Sequence, residues 1–78
     1  MSETLYTVAI ETPHLTDRTM REQKFTGLSY PVALIIATTV LGDTDKACGV
    51  MHEAMSRGRA YADHHDGWDT KTVFVHRH

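Results

Sequence analysis

His64, His65 and Asp66, with His76 and His78 further on, are the side chains of this sequence whose types best suit chemistry. Imidazoles beside a carboxylate form a donor set for zinc, nickel or copper. His76 and His78 stand two apart, so on a strand their side chains share a face. A last strand turning back past the earlier group would bring the imidazoles together, which makes His64, His65, His76 and His78 the candidate metal ligands among six histidines. Nothing in the spacing requires that meeting. The sequence holds no CxxC and no HExxH, and Cys48 is the single cysteine. Exposed polar side chains near a turn and at the chain end explain the same residues more simply, so no cofactor is expected.

The remaining chemistry-bearing residues point away from catalysis. His52 and Glu53 are sequence neighbours, and neighbours on a helix face different directions; His52 is expected on a helix flank in water. Cys48 lies among alanines and methionines, the setting of a small core residue rather than an activated thiolate. Neither has a recognisable partner for nucleophilic or acid–base work, and the expectation is a protein that is not an enzyme. The five glycines are scattered, so no phosphate-cradling loop forms. Arg57, Arg59, Lys71 and Arg77 are the residues a nucleic-acid interface would use, with Tyr6 and Phe25 as stacking platforms. Against that alternative stands a net charge of −2, because affinity for nucleic acid rests on neutralising phosphates. Tyr6 also shares its alternation with Val8 and Ile10, which reads as core.

Positioning these residues falls to a short chain. Seventy-eight residues make one domain, 1–78, that buries only about 60% of the surface its unfolded form exposes. A lone cysteine rules out an internal disulfide and fits a reducing compartment. The N-terminal residues lack the basic start and apolar stretch of a signal peptide, and the longest apolar run is about half a membrane span. A cytoplasmic protein with no membrane association is expected.

Residues 5–12 alternate as a half-buried strand that Pro13 ends. Residues 21–28 form a second strand with weaker alternation, placed at a sheet edge where Arg21, Glu22 and Lys24 discourage further pairing. Residues 30–41 carry the marks of a helix: Ser29 as N-cap, Pro31 in the first turn, Gly42 as the stop. The β-branched content of that segment supports a buried strand as the rival reading. A second helix is expected over 45–62, burying Ala47, Met51, Ala54, Met55, Tyr61 and Ala62, with Gly58 inside it near a close approach or a bend. A turn through Gly67 leads to a last strand over 70–76. Three consecutive apolar residues, Val73, Phe74 and Val75, place that strand centrally with both faces buried. The fold expected is α+β: a three-stranded, mostly antiparallel sheet with two helices on one face, in the order β-β-α-α-β.

The first helix is apolar nearly all round, which a one-sided surface helix is not. With Ile35, Ile36, Met51, Ala54 and Met55 packed on Tyr6, Val8, Ile10, Val73 and Val75, apolar side chains are left over. The helix as a whole, through Val32, Leu34, Ile35, Ile36 and Leu41, is the candidate interface toward a protein partner or a second copy in a homodimer, and whichever of Val32, Leu34 and Leu41 stays outside that core is the contact surface. The piece Phe25-Thr26-Gly27-Leu28-Ser29-Tyr30-Pro31-Val32-Ala33-Leu34 resembles a strand-to-helix junction of very small α+β accessory proteins of actinobacterial bacteriophages. That resemblance covers a turn-and-cap pattern of about ten residues and implies a small protein that binds and perturbs a host protein, with no catalytic residues.

Overall fold

The period-2 alternation around Tyr6, Val8 and Ile10 is realised as strand β1, Tyr6–Pro13, which puts those three side chains in the core. The structure, a computed structural model, describes residues 4–13, 20–66 and 69–78. The expected polar connection after Pro13 falls almost wholly outside them, as does the break at Gly67. Strand β2, Met20–Leu28, lies antiparallel to β1 at the sheet edge, with Val8 facing Phe25 and Ile10 facing Gln23. The register slips between Tyr6 and Val8, where Gly27 takes φ 65°. That bulge turns the strand toward the helix that follows.

Helix α1, Tyr30–Leu41, settles the rival reading of this segment in favour of a helix. Pro31 sits in its first turn, where no intrahelical N–H is lost. Ser29 is the N-cap residue, but its side chain makes no cap bond; the Ala33 N–H bonds to the Ser29 carbonyl at 3.0 Å. Gly42 stops the helix at φ 67°, its N–H bonded to the Thr38 carbonyl at 2.8 Å. Helix α2, Thr44–Arg57, starts at Asp43, whose carboxylate accepts the Lys46 N–H at 3.2 Å.

Here the chain departs from its sequence pattern. The second helix ends at Arg57 rather than continuing to Ala62, because Gly58 adopts φ 92° and donates its N–H to the Ala54 carbonyl. The residues expected to finish the helix form instead strand β3, Arg59–Asp66, followed by strand β4, Asp69–Arg77. The sheet therefore has four strands rather than three, all antiparallel, in the spatial order β2-β1-β4-β3. The chain order is β-β-α-α-β-β.

Both helices lie on one face, as expected: α1 packs on β1 and β4, and α2 on β3 and β4. Between the layers sit Tyr6, Val8, Ile10, Val73 and Val75 from the sheet, with Leu41, Met51 and Val50 from the helices. Four helical alanines, Ala33, Ala37, Ala47 and Ala54, are fully buried and let the helices approach closely. Among the described residues no second layer covers the opposite sheet face, and Phe74 is half-exposed rather than buried between two layers.

Gly58 carries a prediction. A Cβ there would make only ordinary contact with the Arg77 guanidinium, 3.8 Å away, so space is not the constraint. Backbone conformation is. Gly58→Ala is expected to cost about 1–2 kcal/mol, and thermal denaturation should show a melting temperature roughly 5–15 °C lower. An unchanged melting temperature would mean that the left-handed turn between α2 and β3 does not form.

Candidate functional site

The histidines proposed as metal ligands divide between two places. His65 pairs across the ladder with Thr70, and its Nδ1 lies 3.0 Å from Thr70 Oγ1. His64 pairs with Lys71 and points to the other sheet face. His76 pairs with Arg59 near the far end of β3, with its ring 5.1 Å from that of His78. At about 3.4 Å per residue the two ends of β3 lie roughly 20 Å apart, far beyond any common ion. His78 Nε2 is hydrogen-bonded to Thr7 Oγ1, and the His78 N–H donates to the Leu5 carbonyl at 2.9 Å. Among the described residues no group of three or more His, Cys, Asp or Glu side chains converges.

The basic residues separate in a similar way. Arg57, Arg59 and Arg77 gather where α2 meets β3 and β4 ends, whereas Lys71 lies toward the other end of β4. Arg57 faces Glu53 at 3.6 Å, and Arg77 donates to the Met55 carbonyl. Tyr6 is buried edge-on against Tyr30, with ring centroids 5.7 Å apart, and offers no stacking surface. Cys48 is exposed on α2 rather than packed in the core, and His52 is exposed on the same helix as expected.

What the fold does build is two uncovered apolar surfaces. The first is the outer side of α1. The helix turns Ala33, Ala37 and Leu41 inward; Leu41, expected at the interface, is 0% exposed and belongs to the core. Leu34 and Ile36 are half-buried against that core. Ile35, expected both to pack on the sheet and to belong to the interface, is 65% exposed, which fits only the second expectation, and Val32 is 44% exposed. Met55, the other large side chain expected inside, is also exposed. Val32, Ile35 and Thr39 follow one another at three- and four-residue spacing, a single stripe. Its polar atoms are turned back on the helix: Thr39 Oγ1 donates to the Ile35 carbonyl at 2.8 Å, and beside it Thr38 Oγ1 donates to the Leu34 carbonyl at 2.7 Å. No charged side chain occurs in α1.

The second surface is the open sheet face at β3 and β4. Tyr61, 67% exposed, lies beside Phe74 with ring centroids 6.0 Å apart. The pair forms part of an open groove of about 1210 Å³ that runs along β3, walled on the helix side by Lys46, Glu53 and Arg57. Sequence spacing assigned Tyr61 to the buried side of a helix, which the strand overturns. The signal that could have found it is Arg57-Gly58, a basic last turn followed by glycine, which is a helix stop.

No protein-family model, curated protein or solved structure matches the chain.

Proposed function

We propose that this protein is a non-catalytic protein-binding module whose contact surface is the outer stripe of α1, centred on Ile35. The observation that carries the reading is the stripe's chemistry. A solvated helix face is ordinarily charged; this one presents Val32 and Ile35, and its neighbouring hydroxyls are bonded to their own helix. Water gains nothing from such a surface, and a protein partner that covered it would recover the burial that a 78-residue domain lacks. Stability does not demand the exposed side chains, since the core on the other side of α1 is closed by Leu41 and the alanines.

The partner contact is thus drawn from Val32 and Ile35, with Leu34 and Ile36 at its margin. A host protein bound by a small accessory protein, and a cytoplasmic setting, belong to the same proposal. No described helix is long and apolar enough to cross a membrane. Polyanion binding has less to build on: Arg57 and Arg77 already have partners within the fold, and Lys71 lies apart from them.

The experiment is capture from a nuclease-treated lysate of the native cells, with wild type and Ile35→Asp compared side by side. A protein held stoichiometrically by wild type and lost with Ile35→Asp supports the reading. Identical captures by the two, or none by either, would overturn it.

A further inference from the structure

A second surface, separate from α1, is self-complementary: we infer that the free edge of β3 pairs antiparallel with β3 of a second copy, with Tyr61 on the twofold axis. The direction of the backbone groups comes first. The Gly58 carbonyl accepts the Arg77 N–H at 2.7 Å, so Gly58 faces β4. Strand alternation then turns the N–H and C=O groups of Arg59, Tyr61, Asp63 and His65 away from β4, toward the open edge. Lys46 Nζ donates to the Asp63 carbonyl from that side, which agrees with this direction; pairing requires this exposed lysine to swing aside so that a second copy's Arg59 N–H can take the carbonyl.

The two edges of the sheet are not equivalent. Edge β2 carries Glu22 and Lys24 and a bulge at Gly27, devices that discourage pairing. Edge β3 runs Arg-Ala-Tyr-Ala-Asp through its first five residues, regular and without a bulge. Its charges select a register. Centred on Tyr61, antiparallel pairing places Arg59 opposite Asp63 of the second copy, and by symmetry does so twice. Ala60 then faces Ala62 on the helix side, where small residues leave room. Centring on Asp63 would oppose that carboxylate to itself, and centring on Ala62 would leave it opposite a tyrosine. Like charges directly across a ladder are destabilising and opposite charges favourable.

In the chosen register the two tyrosines meet across the axis, each flanked by its own Phe74. The result is an isologous dimer with one continuous eight-stranded sheet and a row of four aromatic rings on its open face. The second copy's strand occupies the groove bounded by Lys46, Glu53 and Arg57. This leaves the α1 stripe free for a different partner, so either surface can fail its test without the other.

Charge reversal tests the register. Sedimentation velocity over a concentration series is run on wild type, Arg59→Asp, Asp63→Arg and the double variant, with circular dichroism confirming each fold. Wild type is expected to reach twice the chain mass. Arg59→Asp, whose side chain has no fold partner among the described contacts, should raise the dimer dissociation constant by roughly tenfold or more, since two facing pairs turn repulsive together. Asp63→Arg should act alike, and the double variant should restore the dimer. A wild type that stays monomeric, single variants that dimerise as well as wild type, or a double variant that fails to recover would each overturn the inference. A dimer broken by Ile35→Asp and not by Arg59→Asp would overturn it too, and would move self-association to α1.

Discussion

Leu41→Ala is expected to lower the melting temperature by roughly 10 °C or more, with cooperative unfolding lost in the most sensitive case. Leu41 ends α1 with no exposed surface and is among the largest fully buried side chains. Truncating a buried leucine removes its transfer energy and leaves a cavity, together about 2–5 kcal/mol. For a domain of this length the whole stability is of the order of 4–12 kcal/mol, so this single change removes a large share. Thermal denaturation followed by circular dichroism reads the effect directly. A variant as stable as wild type would mean that Leu41 faces outward, and α1 would have to be rotated on the sheet.

Ile35→Asp, six residues earlier on the same helix, is expected to do the reverse. Its side chain is 65% exposed, so the melting temperature should stay within a few degrees of wild type. The residual cost is the slightly lower helix propensity of aspartate, about a few tenths of a kcal/mol. Binding should suffer instead. A central apolar anchor replaced by a charge costs 2 kcal/mol or more at an interface, so partner affinity should fall by roughly thirtyfold or beyond, measured by titration calorimetry with the captured partner. Full affinity in Ile35→Asp would remove the α1 stripe as the contact surface. Collapse of the fold would show that Ile35 is core after all.

These opposite outcomes mark where the sequence was readable and where it was not. The existence and limits of α1 were legible, because Pro31 and Gly42 act locally through their own backbone preferences. Its orientation was not. A helix apolar all round has no moment to say which side is inward, and hydrophobicity alone ranks Ile35 above alanine. The fold instead turns Ala33 and Ala37 inward, since a helix lying close on a sheet needs small side chains at the contact. Strand β1 was legible from its alternation; β4 is central as expected, but burial on both faces was the wrong reason, since Val73 and Val75 are buried and Phe74 between them is exposed.

Strand β3 was lost for a different reason. Tyr61 and Ala62 fit the helical spacing that runs back through Ala54 and Met51, and only the conformation of Gly58 breaks it. With that strand went the aromatic pair on the open face, the free edge, and the placement of His64 and His65 on a ladder instead of a turn. The histidine cluster was a property of composition; the register, which sequence does not display, set its members at opposite ends of the hairpin. Exposure of Cys48 was equally hidden, since its alanine and methionine neighbours occupy the inward side of α2 while it does not.

The most direct test of the α1 surface is site-specific photo-crosslinking in the native cells, with a benzophenone amino acid in place of Val32. The same group in place of Ser56, exposed on α2, serves as the reference position. A protein-binding stripe predicts a discrete adduct from position 32 that position 56 does not give, and its loss when Ile35→Asp is introduced. Equal adducts from both positions, or none from position 32, would contradict the account.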